Sequence, residues 1–225
     1  MPGCVGGVIG VPCAEQARWS AFWGSVCDLE RPSGWTVVPG RGSSVAANRN
    51  LIVRRALELE AEHIFFLDDD LVFNNQVLLR LLARDVEAVV GLSLRRQPNF
   101  EPLWFHTNLP HTECMVRTLP TDGGLVRLAG ATSGGLLVRT DVFRRIEPPW
   151  WTLGQFEGRA DEWNDDLDFC RKLATAGVPL YGDPTARFEH TTNLQVVPHF
   201  QDGRWMVVLA RGGTPIVAMP MEDLQ

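Results

Sequence analysis

The sequence predicts an α/β fold, a single domain with a mainly parallel central sheet flanked by helices, and three observations predict it. Short apolar runs alternate with helical patterns of 10 to 15 residues, the signature of a parallel sheet with helices on its faces. The runs are continuously apolar rather than alternating, as strands covered on both faces are. At 225 residues and 45% hydrophobic content the chain can bury a full core, and no linker divides it.

Taken in order, "CVGGVIGV" (4–11) is too short and glycine-rich for a helix and reads as a buried first strand. A helix is predicted in "AEQARWSAFWGSV", then an extended stretch in "GWTVVPG". In "SSVAANRNLIVRRALELEAE", Ile52, Ala56 and Leu59 recur at helical spacing, Val53 and Leu57 widen the apolar face, and Ser43 or Ser44 caps the helix. "HIFFL" is strand-like, "NNQVLLRLLARD" is a helix with Val77, Leu78, Leu81 and Leu82 on one side, and "EAVVGLSL" is another buried strand. The proline-rich stretch "RRQPNFEPLWFHTNLPHTECMVRTLPTDGG" predicts a long excursion with one hairpin, and long loops in compact domains are often functional. Two strands and a short helix come next, in "GLVRLAGATSGGLLVRTDVFRRI". "NDDLDFCRKLATAG" is a helix capped by Asn164 and stopped by Gly177, with Leu167, Cys170, Leu173 and Ala174 inward. "VPLYGD" and "ARFEH" read as final strands; residues 191–225 form a tail with strand-like pieces, "RWMVVLA" and "TPIVAM", packing on the domain formed by 1–190.

Composition narrows the function classes. A formal charge of -6 disfavours indiscriminate binding to nucleic acid, which comes mainly from neutralising phosphates with basic residues, although a local basic groove is compatible with it. Five cysteines, with no CxxC pair, argue against a disulfide framework and a zinc ribbon, and fit a reducing cytoplasm. No segment approaches the roughly 20 apolar residues of a membrane span, and "MPGCVGGVIGVPC" lacks the basic flank of a signal peptide. Lys172 is the one lysine among 21 basic residues, a bias that GC-rich coding explains without appeal to function.

The stretch "HIFFLDDDLVF" carries the chemistry, because an apolar strand there ends in Asp68, Asp69 and Asp70. Each close pair of unscreened carboxylates would cost on the order of 4 kcal/mol at an effective dielectric of about 20. Either water or a cation must therefore screen them. In a strand, residues two apart face the same way, so Asp68 and Asp70 are expected at one site and Asp69 elsewhere. Hard oxygen ligands suit Mg2+ or Mn2+, often with substrate phosphates completing the shell. A solvated acidic turn accounts equally for these three residues taken alone. Ligands in open α/β sheets sit beyond the carboxyl ends of strands, where this triplet lies.

Together, and in this order, "AANRNLIVRRALELEAEHIFFLDDDLVF", "GATSGGLLVRTDVFRRI", "PPWW", "NDDLDFCRKLATAG" and "FEH" resemble the core of GT-A-type nucleotide-sugar glycosyltransferases, closest to the small family-2-like members of phage and bacterial genomes. The likeness spans roughly residues 45–190 and implies a single-domain GT-A (Rossmann-like) fold and a hexosyltransferase-type enzyme. By that resemblance Asp68 and Asp70 take the DxD role, Asp70 on the metal and Asp68 on the donor's ribose or, through water, on the metal. His190 completes the metal shell, and Arg49 and Asn50 help to hold the nucleotide. Ser133, Gly134 and Gly135 form the glycine loop that lines the donor sugar. Asp166 stands at the position of the general base, with Asp165 where glutamate is usual, so the choice between these two stays open.

The implied cofactors are Mn2+ or Mg2+ and a nucleotide-sugar, UDP-linked. The cation stabilises the departing diphosphate as a Lewis acid, while a carboxylate takes the proton of the attacking hydroxyl, and an acidic pair at the head of the 164–176 helix implies inversion. Simpler readings stand beside these. Asp165 and Asp166 also complement a helix dipole, His190 also fits an ordinary hydrogen-bonded histidine, and Gly134 and Gly135 also fit a turn. Trp150, Trp151 and Trp163 fit either the core or a stacking platform, and Arg95 and Arg96 either phosphate contacts or a solvated face. No glycine-rich basic loop follows the first strand, which disfavours a nucleotidyltransferase; a non-catalytic sugar-nucleotide-binding module is the competing class. The acceptor candidates are 5-hydroxymethylpyrimidines in phage DNA, a protein or glycan, and a small molecule. A DNA acceptor requires Arg95, Arg96, Arg127, Arg144 and Arg145 beside the site, with a tryptophan platform for a flipped base.

Overall fold

The computed structural model describes residues 6–12, 20–96, 100–107, 115–152, 154–155, 162–163, 165–191, 195–211 and 213–223. In chain order the elements are β1 (Gly7–Pro12), α1 (Ser20–Asp28), β2 (Trp35–Gly40), α2 (Val45–Glu58), β3 (His63–Phe66), β4 (Leu71–Phe73), α3 (Val77–Leu82) and β5 (Ala88–Leu92). Then come the short strands β6 (Trp104–Phe105), β7 (Val126–Leu128) and β8 (Gly130–Ala131), and β9 (Leu136–Arg139), which runs into a 3-10 turn at Thr140–Arg144. The chain continues through β10 (Gly154–Gln155), β11 (Glu162–Trp163), α4 (Asp165–Thr175) and β12 (Leu180–Thr191), and ends in β13 (Gln195–Gln201), β14 (Arg204–Arg211) and β15 (Thr214–Pro220).

The main sheet has the strand order β15-β14-β13-β12-β5-β9-β3-β1-β2, with β4 and β7 also paired to β12. Alternation along its central strands builds two cores. Val8, Ile64, Phe66, Val90, Leu136 and Val138 face one side, where α2 adds Ile52 and Ala56 and α4 adds Phe169 and Leu173. Ile9, Phe65, Leu67, Val89 and Leu137 face the other, where α1 adds Phe22 and α3 adds Leu78. Both faces of the sheet are thus covered by helices, which is why its strands read as unbroken apolar runs.

The expectation of a mainly parallel sheet needs correction. Parallel pairing joins β1 to β2 and β3, and β5 to β12. However, β9 lies antiparallel between β3 and β5, and β12 through β15 form an antiparallel meander at one edge. The reason is connectivity. A parallel return needs a crossover, usually a helix, and no described helix lies between β5 and β9, while β13 and β14 are joined by a tight turn at Asp202 and Gly203, both with positive φ. "VPLYGD" and "ARFEH" form one strand, β12, irregular between Asp183 and Arg187, and they are not the last strands.

Local expectations fare better. Ser44 caps α2, its Oγ accepting the Ala47 N–H at 3.1 Å. The first helix candidate overlaps α1, although residues 13–19 lie outside the described ones, as does the Asn164 cap. Ala174, expected inward, is exposed, and Phe169 takes the buried position on that face of α4. The excursion does contain a small antiparallel pair, β6 with β8. No helix among the described residues is long and apolar enough to cross a membrane.

Candidate functional site

Arg49 organises the site. It points inward from α2, is 2% exposed, and its guanidinium meets carboxylates from two other elements. Its Nη2 donates to Asp68 Oδ1 at 3.0 Å and Oδ2 at 3.3 Å, just past the end of β3. Its Nη1 donates to Asp165 Oδ2 at 3.1 Å and Asp166 Oδ1 at 2.6 Å, at the head of α4. Burial alone would disfavour the guanidinium's charge, but Asp166, Asp68 and Asp165 outweigh it and raise the Arg49 pKa. Asp166 is the most deeply buried of the three. Loss of water pushes its pKa up to about 6, against the attraction of Arg49, and the negative charges of Asp165 and Asp68 push the same way.

Packing behind this cluster fixes Asp166. Ser133 hydrogen-bonds the Asp166 carboxylate, which favours ionisation, and its Oγ accepts the Trp151 Nε1–H at 3.0 Å. Trp151 in turn stacks on Phe169 of α4 with ring centroids 4.0 Å apart. Asn50, next to Arg49, braces the same loop. Its Oδ1 accepts the backbone N–H groups of Trp150 and Trp151 at 2.9 and 3.1 Å, and its Nδ2 donates to Trp151 O at 2.8 Å. Lys172 Nζ ties α4 to that loop through Pro149 O, Trp150 O and Thr152 Oγ1.

These contacts revise several expectations. Asn50, given a nucleotide contact by resemblance, has both ends of its amide committed to the Trp150-Trp151 backbone. Trp150 and Trp151 are core residues rather than a stacking platform, because both are buried and Trp150 Nε1 donates to Phe143 O and Ile146 O. The Trp163 side chain lies outside the described residues. Gly134 makes room for a carboxylate: a Cβ there would stand 2.7 Å from Asp68 Oδ2. Gly135 has φ +81 and abuts Phe188, so a side chain would be both strained and crowded.

Asp68 to Asp70 do not obey strand alternation, because β3 ends at Phe66 and the triplet turns, with Leu71 N–H donating to Asp68 O at 3.2 Å. Asp68 therefore pairs with Arg49 while Asp70 pairs with Arg96. Of the five arginines expected beside the site, Arg96 alone contacts a site carboxylate among the described residues, whereas Arg145 pairs with Glu87 and Arg127 lies over Tyr181. The Cys170 thiol, pushed up to about 12 by burial, is inert.

Strand pairing brings His190 opposite Leu71, the residue that follows Asp70. β12 runs antiparallel to β4 there, and Thr191 N–H donates to Asp70 O at 2.7 Å. Among the described residues no three His, Cys, Asp or Glu side chains stand together as a ready metal cage, so Asp68, Asp70 and His190 are not assembled as one. Two features nonetheless fit a cation. Asp70 Oδ1 is buried without a hydrogen-bond partner. His190 Nδ1–H donates to Leu94 O at 2.6 Å, which leaves Nε2 as an acceptor in the neutral ring, and burial favours that neutral form.

No known protein family matches the chain, and no curated protein is similar to it in sequence. Among solved structures it is similar to A197 from STIV, with a TM-score of 0.62 and 14% identity, over 94% of this chain and 97% of that one. It is also similar to residues 1–349 of S. aureus TarS, solved in complex with UDP-GlcNAc (TM-score 0.40, 14% identity, 78% of this chain and 55% of that one) and alone (TM-score 0.41, 13% identity, 80% and 60%). The chain therefore spans little more than half of that TarS fragment. At these identities likeness speaks of fold, and over nearly its whole length this chain has the fold of A197 from STIV.

Proposed function

We propose that this chain is a metal-dependent glycosyltransferase that moves a sugar from a nucleotide-sugar, UDP-linked, to a hydroxyl acceptor with inversion. One observation carries the reading: Asp68, past the end of a central strand, and Asp166, at the head of α4, converge on one buried arginine although they lie far apart in the chain. This convergence lies past the carboxyl end of β3, two residues before Asp70, and its residues are those on which the motif resemblance rests. Structures at low identity bear on the fold alone, so the activity stands on the residues.

Asp166 is the better base of the acidic pair. Its pKa of about 6 keeps it ionised at neutral pH, yet close enough to working pH to accept the proton of an acceptor hydroxyl. Ser133 and Arg49 hold the carboxylate in place. Asp70 and His190 would hold Mn2+ or Mg2+, with donor phosphates completing the shell, and the ion would supply Lewis-acid stabilisation of the diphosphate. The acceptor candidates are hydroxymethylated DNA, a protein or glycan, and a small molecule. The burial of Trp150 and Trp151 removes two of the three tryptophans expected to form a platform for a flipped base, the third being Trp163.

The test is release of UDP from a panel of UDP-sugars by the purified protein, with Mn2+ or with EDTA, and with or without 5-hydroxymethylpyrimidine DNA. Turnover that requires metal and disappears in both Asp70→Ala and Asp166→Asn is the expected result. Turnover unaffected by both substitutions would reject the site, and no turnover of any donor would favour a binding module.

A further inference from the structure

A second polar site lies away from the carboxylate cluster. The start of α3 and the irregular part of β12 border a cavity of about 360 Å³ lined by Asn74, Val77, Arg80, Thr185 and Arg187. Its lining carries two guanidinium groups and no carboxylate, in a chain whose formal charge is -6. Neither arginine forms an ion pair among the described residues. Arg80 Nη1 reaches only Thr185 O, at 3.5 Å, and Arg187 Nε only Pro184 O, at 3.4 Å. Both are at the weak limit of a hydrogen bond.

The nearby acids do not serve them. Arg84 forks onto Asp183 at 2.7 and 2.9 Å, and Asp183 Oδ1 also accepts the N–H and O–H of Thr185. Glu189, two residues beyond Arg187, lines a different cavity. Arg187 is pre-positioned, its guanidinium 4.9 Å from the centre of the Trp205 ring, an arrangement that orients the fork without neutralising it. Burial and the like charge of Arg80 both lower the Arg187 pKa, so an anion between the two would relieve a standing repulsion. Asn74 uses its Oδ1 on the Gln76 N–H at 3.0 Å, and its amide donors are unused by any described residue.

We propose that this cavity binds the phosphate of a small phosphorylated molecule, held between Arg80 and Arg187. Two guanidinium forks lining one cavity match the charge of a phosphate dianion and its preference for forked donors. The volume lies at the lower end of small-ligand pockets, about 300–1,000 Å³. The site shares no residue with the carboxylate cluster and does not depend on the glycosyltransferase reading.

Calorimetric titration of the purified chain in EDTA at low salt tests this, with inorganic phosphate, pyrophosphate and glucose 6-phosphate as probes and a single-stranded oligonucleotide as the contrast. The expected result is one-site binding of at least one small probe, unchanged in Asp70→Ala, weakened at least tenfold in Arg80→Gln and in Arg187→Gln, and abolished in the double variant. If Arg187→Gln melts early, Arg80→Gln decides the matter alone, since its side chain is exposed. Undiminished binding in Arg80→Gln, no binding of any small probe, or binding of the oligonucleotide alone would overturn the proposal.

Discussion

A single buried guanidinium facing three carboxylates sets the electrostatics of the residue scale. The folded chain holds the Asp166 proton more tightly than an unfolded chain would, with a pKa of about 6 against an ordinary 3.8. Asp166 therefore favours folding at pH below the lower value, and that contribution is lost as pH rises through the upper one. At full ionisation the cost is at most about 3 kcal/mol. Asp166→Asn should consequently melt above the wild type at pH 8, with the gap closing toward pH 4, as scanning calorimetry would read. The same carboxylate is the proposed base, so kcat should fall as pH drops through about 6, and Asp166→Asn should lower turnover by about 10²–10⁴. Ser133→Ala removes a bond that favours the ionised form and should move the acid limb to higher pH, with activity largely recovered at pH 8. An unmoved limb would mean that Ser133 only supports Trp151.

At the scale of elements, α2 joins the site to the core. Adjacent residues on it reach different targets: Arg49 pins the end of β3 to the head of α4, and Asn50 pins the Trp150-Trp151 backbone. Arg49→Ala leaves the carboxylates without their counter-ion and should cost about 3–5 kcal/mol in urea unfolding at neutral pH. Gly134→Ala places a methyl against the Asp68 carboxylate and should destabilise by about 1–3 kcal/mol, displacing Asp68 from Arg49. The helix itself was legible from its apolar spacing and its serine cap. The aim of Asn50 was not, because nothing local to an "RN" pair shows which loop will come to lie above it. Alternation failed for Asp68 to Asp70 because strand geometry stops at Phe66 and a turn re-aims all three carboxylates. The hairpin at Asp202-Gly203 had an available signal, an Asp-Gly pair between apolar runs, that would have separated β13 from β14.

For the molecule as a whole, the two-sided core predicts a gradient of stability. Amide exchange should be slowest in β3, β9 and β5, covered on both faces, and fastest in β15, an edge strand whose Ile216 and Val217 are exposed. Composition and periodicity were enough to determine the α/β class, the two-faced burial of the strands and the helices α2 and α4, because these depend on local spacing and on which side chains avoid water. The candidate acidic residues could be named one by one from motif order. Only the tertiary structure decided that Asp68, Asp165 and Asp166 share Arg49, that strand pairing sets His190 opposite Leu71, and that much of the sheet runs antiparallel. Those outcomes depend on chain crossings and on the mutual approach of charges distant in sequence, and no local pattern of residues encodes them.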